Sequence, residues 1–521
     1  MKDDNLSNIQ YNSCVSRGIC SVSPRTSALQ TVLILYLHLI AKYCIKLISL
    51  ADISAETRNF ILNAVAITVA NPEFTENAFE NAIDGLKKIL PSVINKYNEE
   101  FSKNDFEGEN IYLSDIYKRC ENIVDAIKLG EEISRTLSNK SSCEIRDLFK
   151  IMLVISKCMS MNLLDLESYG LDTVVGFKEV LCILSAINPE KQSIENLKSL
   201  IKKSADKNIE LMNLIHAEQE KRYGVQGVAE VSYTTTAAKA VLVVGSNIRE
   251  LENILEKLKD ANIDVYTHDD MMLAHTFPKF KEFKNLKGQY GHGVENCLID
   301  FAKFPGPIIL TKHSLHNIDN LYRGKLFTTD INFYKGVIKI ENSDFSEVVK
   351  EANLSKGFKT GKVCETVKIG YDYESLTNKI KAKLSSGQYK QIIFIGDKDF
   401  SKEQKLYFEK LTKSVGMDTL IISLSYNFNK ENFVHVNTCF DTFVTLRIVE
   451  YINSFQMPVF FFLPKYSRNT MSEIIYISQI TGIKVFVGDC VPIMLNPTLR
   501  ETLQKVFGIR LMTNPQKDLE A

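Results

Sequence analysis

Histidine, aspartate and cysteine side chains in this chain follow short apolar runs, and such side chains can bind metals or transfer protons. The segment THDDMMLAH places His268, Asp269, Asp270 and His275 within eight residues. Two imidazoles and two carboxylates would suit a divalent metal ion. The run 271–274 that follows is apolar, which favours the alternative that Asp269 or Asp270 caps a helix entering a core.

Cys439 and Lys398 are two further candidates, and each has an alternative interpretation. Cys439 lies in VNTCFDTF, where it would open a helix whose dipole stabilises a thiolate. A buried residue at the helix start is the alternative. Lys398 follows an apolar run in IGDKDF, flanked by Asp397 and Asp399. It could contact an anion, but the adjacent acids favour a solvated charge.

Common catalytic and cofactor motifs are missing from the sequence. VLVVGSNIRE has a strand, a Gly turn and a helix, but the chain has no G-x-G-x-x-G or G-x-x-x-x-G-K-[ST] pattern. It also lacks the G-x-S-x-G nucleophile elbow. Its 11 cysteines include no C-x-x-C pair. Their scatter indicates reduced thiols in the cytoplasm rather than a disulfide framework.

The composition is that of a folded protein with several domains. The chain has 521 residues, 45% of them hydrophobic and 24% charged, with 63 basic and 63 acidic side chains. A net charge of zero argues against binding of nucleic acid through the overall field of the protein.

Apolar spacings of three and four predict helices through most of the first 225 residues, which indicates a helical bundle. One segment, 31–50, is nearly long enough to cross a membrane. His38, Lys42 and Lys46 recur on one of its faces, so we expect an amphipathic core helix and no membrane association. We also expect no signal peptide, because some thirty mixed residues precede this run.

After Gly224, short apolar runs alternate with amphipathic helices, as in parallel sheets covered on both faces. We therefore predict a multidomain α and α/β protein. A helical bundle would occupy residues 1–225, and two α/β domains would occupy residues 226–375 and 376–521.

Ligands of open parallel sheets bind at the carboxyl ends of the strands. The candidates that follow the predicted strands are Gly245, Ser246, Asn247, His268, Asp269, Asp270, Lys312, His313, Ser314, Gly396, Asp397, Lys398, Ser425, Tyr426, Tyr466, Ser467, Asp489 and Cys490.

Several stretches resemble the hybrid cluster protein family, also called prismane proteins or hydroxylamine reductases. NSCVSRGICSVSPRTSALQTVLI is similar to the family's N-terminal segment. FPKFK, LKGQYG, FPGPI and LFTTD then follow in the family's order, and TGIKVFVGDCVPIMLNPTLRETLQKVFGI is similar to its C-terminal segment. The resemblance implies a helical domain followed by two Rossmann-like α/β domains, in agreement with the periodicity.

The resemblance also implies two iron–sulfur centres. The first is a cubane held by four N-terminal cysteines, of which Cys14 and Cys20 match the second pair; no cysteine precedes them. The second is a hybrid iron–sulfur–oxygen cluster. It is held by one His, two Glu and four Cys, one of them persulfidated, with a Lys beside it.

At the hybrid-cluster positions, Cys439 matches a family cysteine and Asp270 replaces a glutamate. The other positions are changed: Ser246 stands for the His, Ser314, Lys398 and Tyr426 for three Cys, Ser467 for the second Glu, and Asn469 for the Lys. Hydroxyl groups do not replace soft thiolates for iron. We therefore expect a chain without a cofactor, since its ligands do not support the clusters implied by the resemblance.

These observations lead to three functional hypotheses. The first is an oxidoreductase by descent that is now inactive and binds a genuine hybrid cluster protein or its electron donor. The second is an active hydroxylamine or nitric oxide reductase with a remodelled metal site at Asp270, His268, His313 and Cys439. The third is a small-molecule binder that uses the vacated cavity, with Lys398 and Tyr426 as polar contacts. We expect the seven hybrid-cluster positions to converge on one cavity.

Overall fold

The computed structural model describes most of the chain. The described residues are 24–48, 53–67, 76–100, 120–140, 142–187, 192–291, 296–312, 318–330, 336–396, 402–424, 426–428, 430–438, 442–464, 466–488 and 496–520. The chain forms two compact units. The first contains Met1–Met212, Asn332–Lys335 and Asn496–Thr502, and the second contains Asn213–Ile331, Gly336–Leu495 and Leu503–Ala521.

Helices account for almost all described residues up to Tyr223. They are α1 (Pro24–Leu47), α2 (Ala55–Ala66), α3 (Glu76–Glu100), α4 (Ile123–Lys140), α5 (Cys143–Ser168), α6 (Val174–Ser185) and α7 (Ile194–Tyr223). Serine side chains cap two of them: Ser54 accepts from the Thr57 amide before α2, and Ser142 from the Ile145 amide before α5. The helices predicted through most of the first 225 residues are thus present in the described part of this region.

Helix α1 contains the long apolar run. Of the described helices, it is the one whose length and composition would allow it to cross a membrane, but 67% of its most apolar 18-residue window is buried inside the protein. His38, expected on a polar face, is itself buried, and its Nδ1 lies 2.9 Å from the Leu184 carbonyl oxygen. This burial is typical of the core helix of a globular protein.

The second unit contains two six-stranded sheets in which all strand pairs are parallel. The strands of the first are β2 (Ala240–Val244), β3 (Asp264–His268), β4 (Leu286–Gln289), β5 (Ile308–Leu310), β6 (Leu326–Thr328) and β7 (Ile338–Lys339). The strands of the second are β9 (Gln391–Ile395), β10 (Thr419–Ser423), β11 (Phe433–His435), β12 (Val459–Leu463), β13 (Ile483–Val487) and β14 (Arg510–Leu511).

Both sheets have the same strand order. The first runs β4-β3-β2-β5-β6-β7 and the second runs β11-β10-β9-β12-β13-β14. In each, the chain leaves the first strand in one direction and later crosses to its other side, so β2–β5 and β9–β12 are the two switch points. Every residue of β2, β10 and β12 is buried, as the continuous apolar runs in the sequence predicted.

Helices connect these strands, and a small third sheet accompanies them. The helices are α8 (Ile248–Leu258), α9 (Cys297–Lys303), α10 (Ser346–Leu354), α11 (Tyr373–Leu384), α12 (Lys402–Ser414), α13 (Thr442–Asn453), α14 (Thr470–Ser478), α15 (Pro497–Phe507) and α16 (Pro515–Glu520). Three 3₁₀ helices occupy Asp269–Thr276, Pro278–Glu282 and Arg323–Lys325. Strands β1 (Ala229–Ser232) and β8 (Thr366–Ile369) pair antiparallel. A multidomain α and α/β protein with parallel sheets was predicted, and the structure has these features.

Candidate functional site

The carboxyl end of β2 leads into the first switch point through a tight turn. Gly245 has φ of 121°, a backbone conformation that favours glycine. Ser246 follows and is exposed. Asn247 caps α8, since its Oδ1 accepts from the Glu250 amide at 3.0 Å. The Glu250 carboxylate in turn accepts from the Lys312 amide at 2.9 Å and the Thr329 hydroxyl at 2.6 Å, which joins the ends of β2, β5 and β6.

In the neighbouring strand β3, His268 is the last residue and Asp269 follows it. His268 is fully buried, and its Nε2 lies 3.3 Å from Oδ2 of Asp300, which precedes β5 on α9. The ring of Phe301 packs edge-on against His268. Asp269 has φ of 61°, a strained conformation for a residue with a side chain. The structure therefore holds the imidazole in one orientation and turns the chain sharply just before the half-buried Asp270.

His275 closes the same 3₁₀ helix. Its Nε2 lies 2.9 Å from the Thr267 hydroxyl. Burial lowers the pKa of His275 to about 4, so its imidazole is neutral at neutral pH. THDDMMLAH enters a core as the alternative predicted, because Met271 and Ala274 are fully buried. The residue before the 3₁₀ helix is His268, so neither Asp269 nor Asp270 is its N-cap. Within the described part of the chain, no group of three or more His, Cys, Asp or Glu side chains could hold a metal ion.

At the second sheet, Tyr426 and Ser467 occupy different surroundings. The Tyr426 ring packs in the core against Phe408 and Phe428, with ring centroids 5.1 and 5.7 Å away. Ser467 is half-buried, and Oγ1 of Thr470 accepts from its amide at 2.7 Å. Asn469 is the residue just before α14 and is also half-buried.

Ten of the predicted site residues lie outside the described residues. These are Cys14, Cys20, His313, Ser314, Asp397, Lys398, Ser425, Cys439, Asp489 and Cys490. The expectation that the seven hybrid-cluster positions converge on one cavity therefore stays a prediction.

Sequence reasoning missed Gln404, a buried residue at the start of α12. Its Nε2 donates to the Pro464 carbonyl at 2.9 Å, which ties α12 to the end of β12. A Cβ at Gly488, just after β13, would lie 2.6 Å from that carbonyl oxygen and 2.8 Å from Gln404 Nε2. The glycine that ends the VFVG run was the one signal in the sequence of this close approach.

Besides Asp270, three of the changed ligand positions lie in the described part of the chain, and their residues do not fit ligands of a hybrid cluster. Ser246 is exposed, Tyr426 packs among aromatic rings, and Ser467 lies against Thr470. None of them is a thiolate, imidazole or carboxylate, the donor types that hold iron and sulfide. No reaction step is therefore assigned to a cluster at these three residues.

Curated relatives match this chain nearly from end to end. A hydroxylamine reductase from Thermodesulfovibrio yellowstonii is 24% identical over 539 aligned residues, covering 98% of this chain and 97% of the relative. One from Acidiphilium cryptum is 25% identical, covering 96% and 94%. A solved structure of acetyl-CoA synthase/carbon monoxide dehydrogenase with NiZn[Fe4S4] and NiNi[Fe4S4] clusters aligns to 97% of this chain and 83% of its own, with 11% identity and a TM-score of 0.47.

A model of the Prismane/CO dehydrogenase family matches residues 10–440. This match overturns the expectation of a chain without a cofactor, because it is the family for which the resemblance implies iron–sulfur centres. Residue types at the matched positions therefore do not show that a centre is missing. Cys14, Cys20, Cys439 and Cys490 all lie outside the described residues. The matched residues, 10–440, are more than half of the chain, and this chain therefore belongs to the Prismane/CO dehydrogenase family.

Proposed function

We propose that this chain is an oxidoreductase that reduces hydroxylamine. The reaction takes up two electrons and two protons, breaks the N–O bond and releases ammonia and water. The observation that carries this proposal is the match of curated hydroxylamine reductases over 96–98% of the chain. A relative that shared only one domain would support a fold but not an activity.

The architecture that supports this function is a helical bundle followed by two Rossmann-like domains, with boundaries near 225 and 375. The shared strand order of the two sheets supports it, because the order 3-2-1-4-5-6 is that of Rossmann folds. In such sheets a ligand binds outside the carboxyl ends of the strands, at the switch point. The candidate residues after β2 and β3 lie at this edge of the first sheet, and those after β12 lie at the same edge of the second.

Within this site, Asp270 and Cys439 are the proposed metal-binding residues, with Cys14 and Cys20 at a second, N-terminal centre. Lys398 and Asn469 occupy the positions where the resemblance implies a persulfide and a lysine. The His268–Asp300 pair supports the role of Asp270, because a buried carboxylate that orients an imidazole next to it keeps the segment in one conformation.

We further propose that the protein works in the cytoplasm with a protein electron donor, and without nucleic acid or membrane. The cysteines support a reducing compartment: all seven that the structure describes are free thiols. The zero net charge supports the absence of a nucleic-acid partner.

The test is to purify the chain without oxygen, measure bound iron, and follow ammonia formed from hydroxylamine with reduced methyl viologen. We expect ammonia above the blank. Asp270→Ala should lower its rate at least about tenfold, as loss of a positioned carboxylate commonly does. Asp260→Ala, at an exposed site on the same half of the chain, is the matched control and should retain the rate. A folded, iron-containing protein without turnover would refute the proposal and favour a non-catalytic role.

A further inference from the structure

His216, on the last turns of α7, contacts two segments that are far apart in sequence. Its ring is 6% exposed and stacks on Phe443, with centroids 3.5 Å apart and an interplanar angle of 14°. Phe443 is the second residue of α13, which begins three residues after Cys439 in the sequence. The stack therefore fixes the first turn of this helix.

Besides stacking on Phe443, the His216 ring begins a series of hydrogen bonds. His216 Nε2 lies 3.1 Å from Gln226 Oε1, an acceptor, so Nε2 donates. Gln226 Nε2 donates to the Thr276 hydroxyl at 3.0 Å, and this hydroxyl donates to the Leu273 carbonyl at 2.7 Å. All three hydrogen bonds donate in the same direction, from His216 towards the Leu273 carbonyl. Such chains polarise one another and are stronger than isolated bonds.

This series of hydrogen bonds ends in the 3₁₀ helix Asp269–Thr276, which contains Asp270. Thr276 is also tied through its backbone, because its carbonyl accepts from the Gly227 amide at 3.0 Å. The 3₁₀ helix follows β3 of the first sheet, whereas α13 lies between β11 and β12 of the second. His216 thus contacts α13 directly and the Asp270 segment through Gln226.

The chain just before Cys439 is fastened independently of His216. Asn437 has φ of 62°; its carbonyl accepts from the Gly370 amide at 3.0 Å, and its side-chain amide donates to the Lys368 carbonyl at 2.6 Å. On the far side of Phe443, the Arg447 guanidinium lies 3.6 Å from the Tyr373 ring centroid. The start of α13 is therefore braced from several directions. His216 connects it to the Asp270 segment through Gln226, and Gly370, where a Cβ would lie 3.0 Å from Thr276, is a second connection through Asn437.

We propose that His216 is a positioning residue: its bond to Gln226 and its stack on Phe443 keep the Asp270 segment and the start of α13 at one fixed spacing. The importance of this spacing rests on the proposed function, which places Asp270 and Cys439 in the site. The connection of the two segments through His216, called the joint below, involves described residues and can be tested without measuring enzymatic activity. If the two contacts of His216 were independent, loosening one segment would leave the other unchanged. If they form a joint, loosening one segment also loosens the other.

The experiment is hydrogen–deuterium exchange of the full chain, read by mass spectrometry over 269–276 and the first turn of α13. Gln226→Leu removes the hydrogen-bond chain without touching α13. We expect exchange over 269–276 to rise about tenfold, the effect of losing one buried hydrogen bond. Exchange at the first turn of α13 should also rise, about threefold, because the His216 ring is no longer held.

In a His216→Ala background, adding Gln226→Leu should cause no further rise at α13. If His216→Ala does not fold, His216→Phe serves instead, since it keeps a ring against Phe443 and loses the two ring nitrogens, the Nε2 donor and Nδ1, which lies 3.9 Å from Glu220 Oε2. His38→Ala is the matched control, because His38 is a similarly buried histidine with a short polar contact, in the other unit. It should leave both segments unchanged. An effect of Gln226→Leu confined to 269–276 would overturn the joint, whatever the outcome of the hydroxylamine assay.

Discussion

The carboxylate of Asp300 lies 3.3 Å from Nε2 of His268, and Gly291 packs directly against both side chains. A Cβ at Gly291 would lie 2.3 Å from Asp300 Oδ2 and 3.0 Å from His268 Nε2. Gly291 also has φ of 81°, where side chains are strained. The pair thus depends on a residue without a side chain, and the LKGQYG motif supplies it.

Gly291→Ala should therefore destabilise the protein by about 2–4 kcal/mol, the sum of backbone strain and overpacking. The free energy of unfolding from urea titration measures this. Gly387→Ala is the matched control: Gly387 has φ of 72°, but no atom lies within 4 Å of the point that a Cβ would occupy, so only the strain of about 1 kcal/mol remains. Equal losses for the two variants would mean that the close approach to Asp300 costs nothing.

Glu252 provides a pH-dependent contribution to stability. Its side chain is 4% exposed and accepts from Arg222 at 2.8 Å, Lys279 at 2.6 Å and Tyr223 at 3.0 Å; Arg249 pairs with it as well. Burial would raise the pKa of Glu252, but the hydrogen bonds from Arg222, Lys279 and Tyr223 and the charge of Lys279 outweigh it and lower this pKa to about 2.

Because the folded-state pKa lies below the ordinary value of 4.5, this stability is present above pH 4.5 and is lost as the pH falls towards 2. The shift corresponds to about 3 kcal/mol. Glu252→Gln should cost about this much at pH 7 and little at pH 2, measured by urea unfolding at both values. The exposed Glu256→Gln should be neutral at each pH. A loss for Glu252→Gln that is the same at both pH values would contradict the linkage.

The sequence could predict which residues lie at the carboxyl ends of the strands. It could not predict which residues of other segments they contact. Apolar runs ending in polar clusters placed His268 at the end of β3, where the structure has it. Asp300 is 32 residues further on, and its meeting with His268 depends on how α9 packs beside β3 and β5, which no local pattern encodes. Gln404 and Pro464 are separated by 60 residues and meet for the same kind of reason.

The resemblance implied two Rossmann-like domains, but the sequence shows no internal repeat, so the shared strand order of the two sheets is visible only in the structure. The structure brings out a short similarity at equivalent strands: ILTKHS begins in the last two residues of β5, and FLPKYS begins in the last two residues of β12. Six residues are too few to stand out in a chain of this length, and only the shared strand order gives them meaning. Ligand counting failed for a different reason. It assumed that a centre must use the aligned positions.

Lys325 caps the C-terminus of α9 from outside the helix. Its Nζ donates to the carbonyls of Phe304 at 2.8 Å, Ala302 at 3.0 Å and Phe301 at 3.4 Å. Burial lowers the pKa of Lys325, so desolvation offsets part of the gain from these bonds. Lys325→Met should cost about 1 kcal/mol, at the low end for charged hydrogen bonds. Lys303→Met, at the exposed end of the same helix, should cost less than half as much in the same urea titration.

A buried carboxylate helps to hold the C-terminal helix α16 in place. Asp518 is 5% exposed and accepts from the Tyr407 hydroxyl at 2.6 Å, the Thr513 amide at 2.8 Å and the Thr513 hydroxyl at 2.9 Å. Burial, together with the hydrogen bond and charge of Asp518, raises the pKa of Tyr407. The phenol therefore stays a donor throughout the ordinary pH range, and the contact links α16 to α12, the helix that also carries Gln404.

Asp518→Ala leaves all three donors without their acceptor and should cost about 2–4 kcal/mol, whereas Tyr407→Phe removes one donor and should cost about 1 kcal/mol. The exposed Glu520→Ala is the control and should change little. Limited proteolysis separates the local effect from the global one. Cleavage in 513–520 should accelerate in Asp518→Ala at urea concentrations where the rest of the chain remains folded. If both variants lose the same stability, the two Thr513 contacts add nothing, and Tyr407 alone holds the helix.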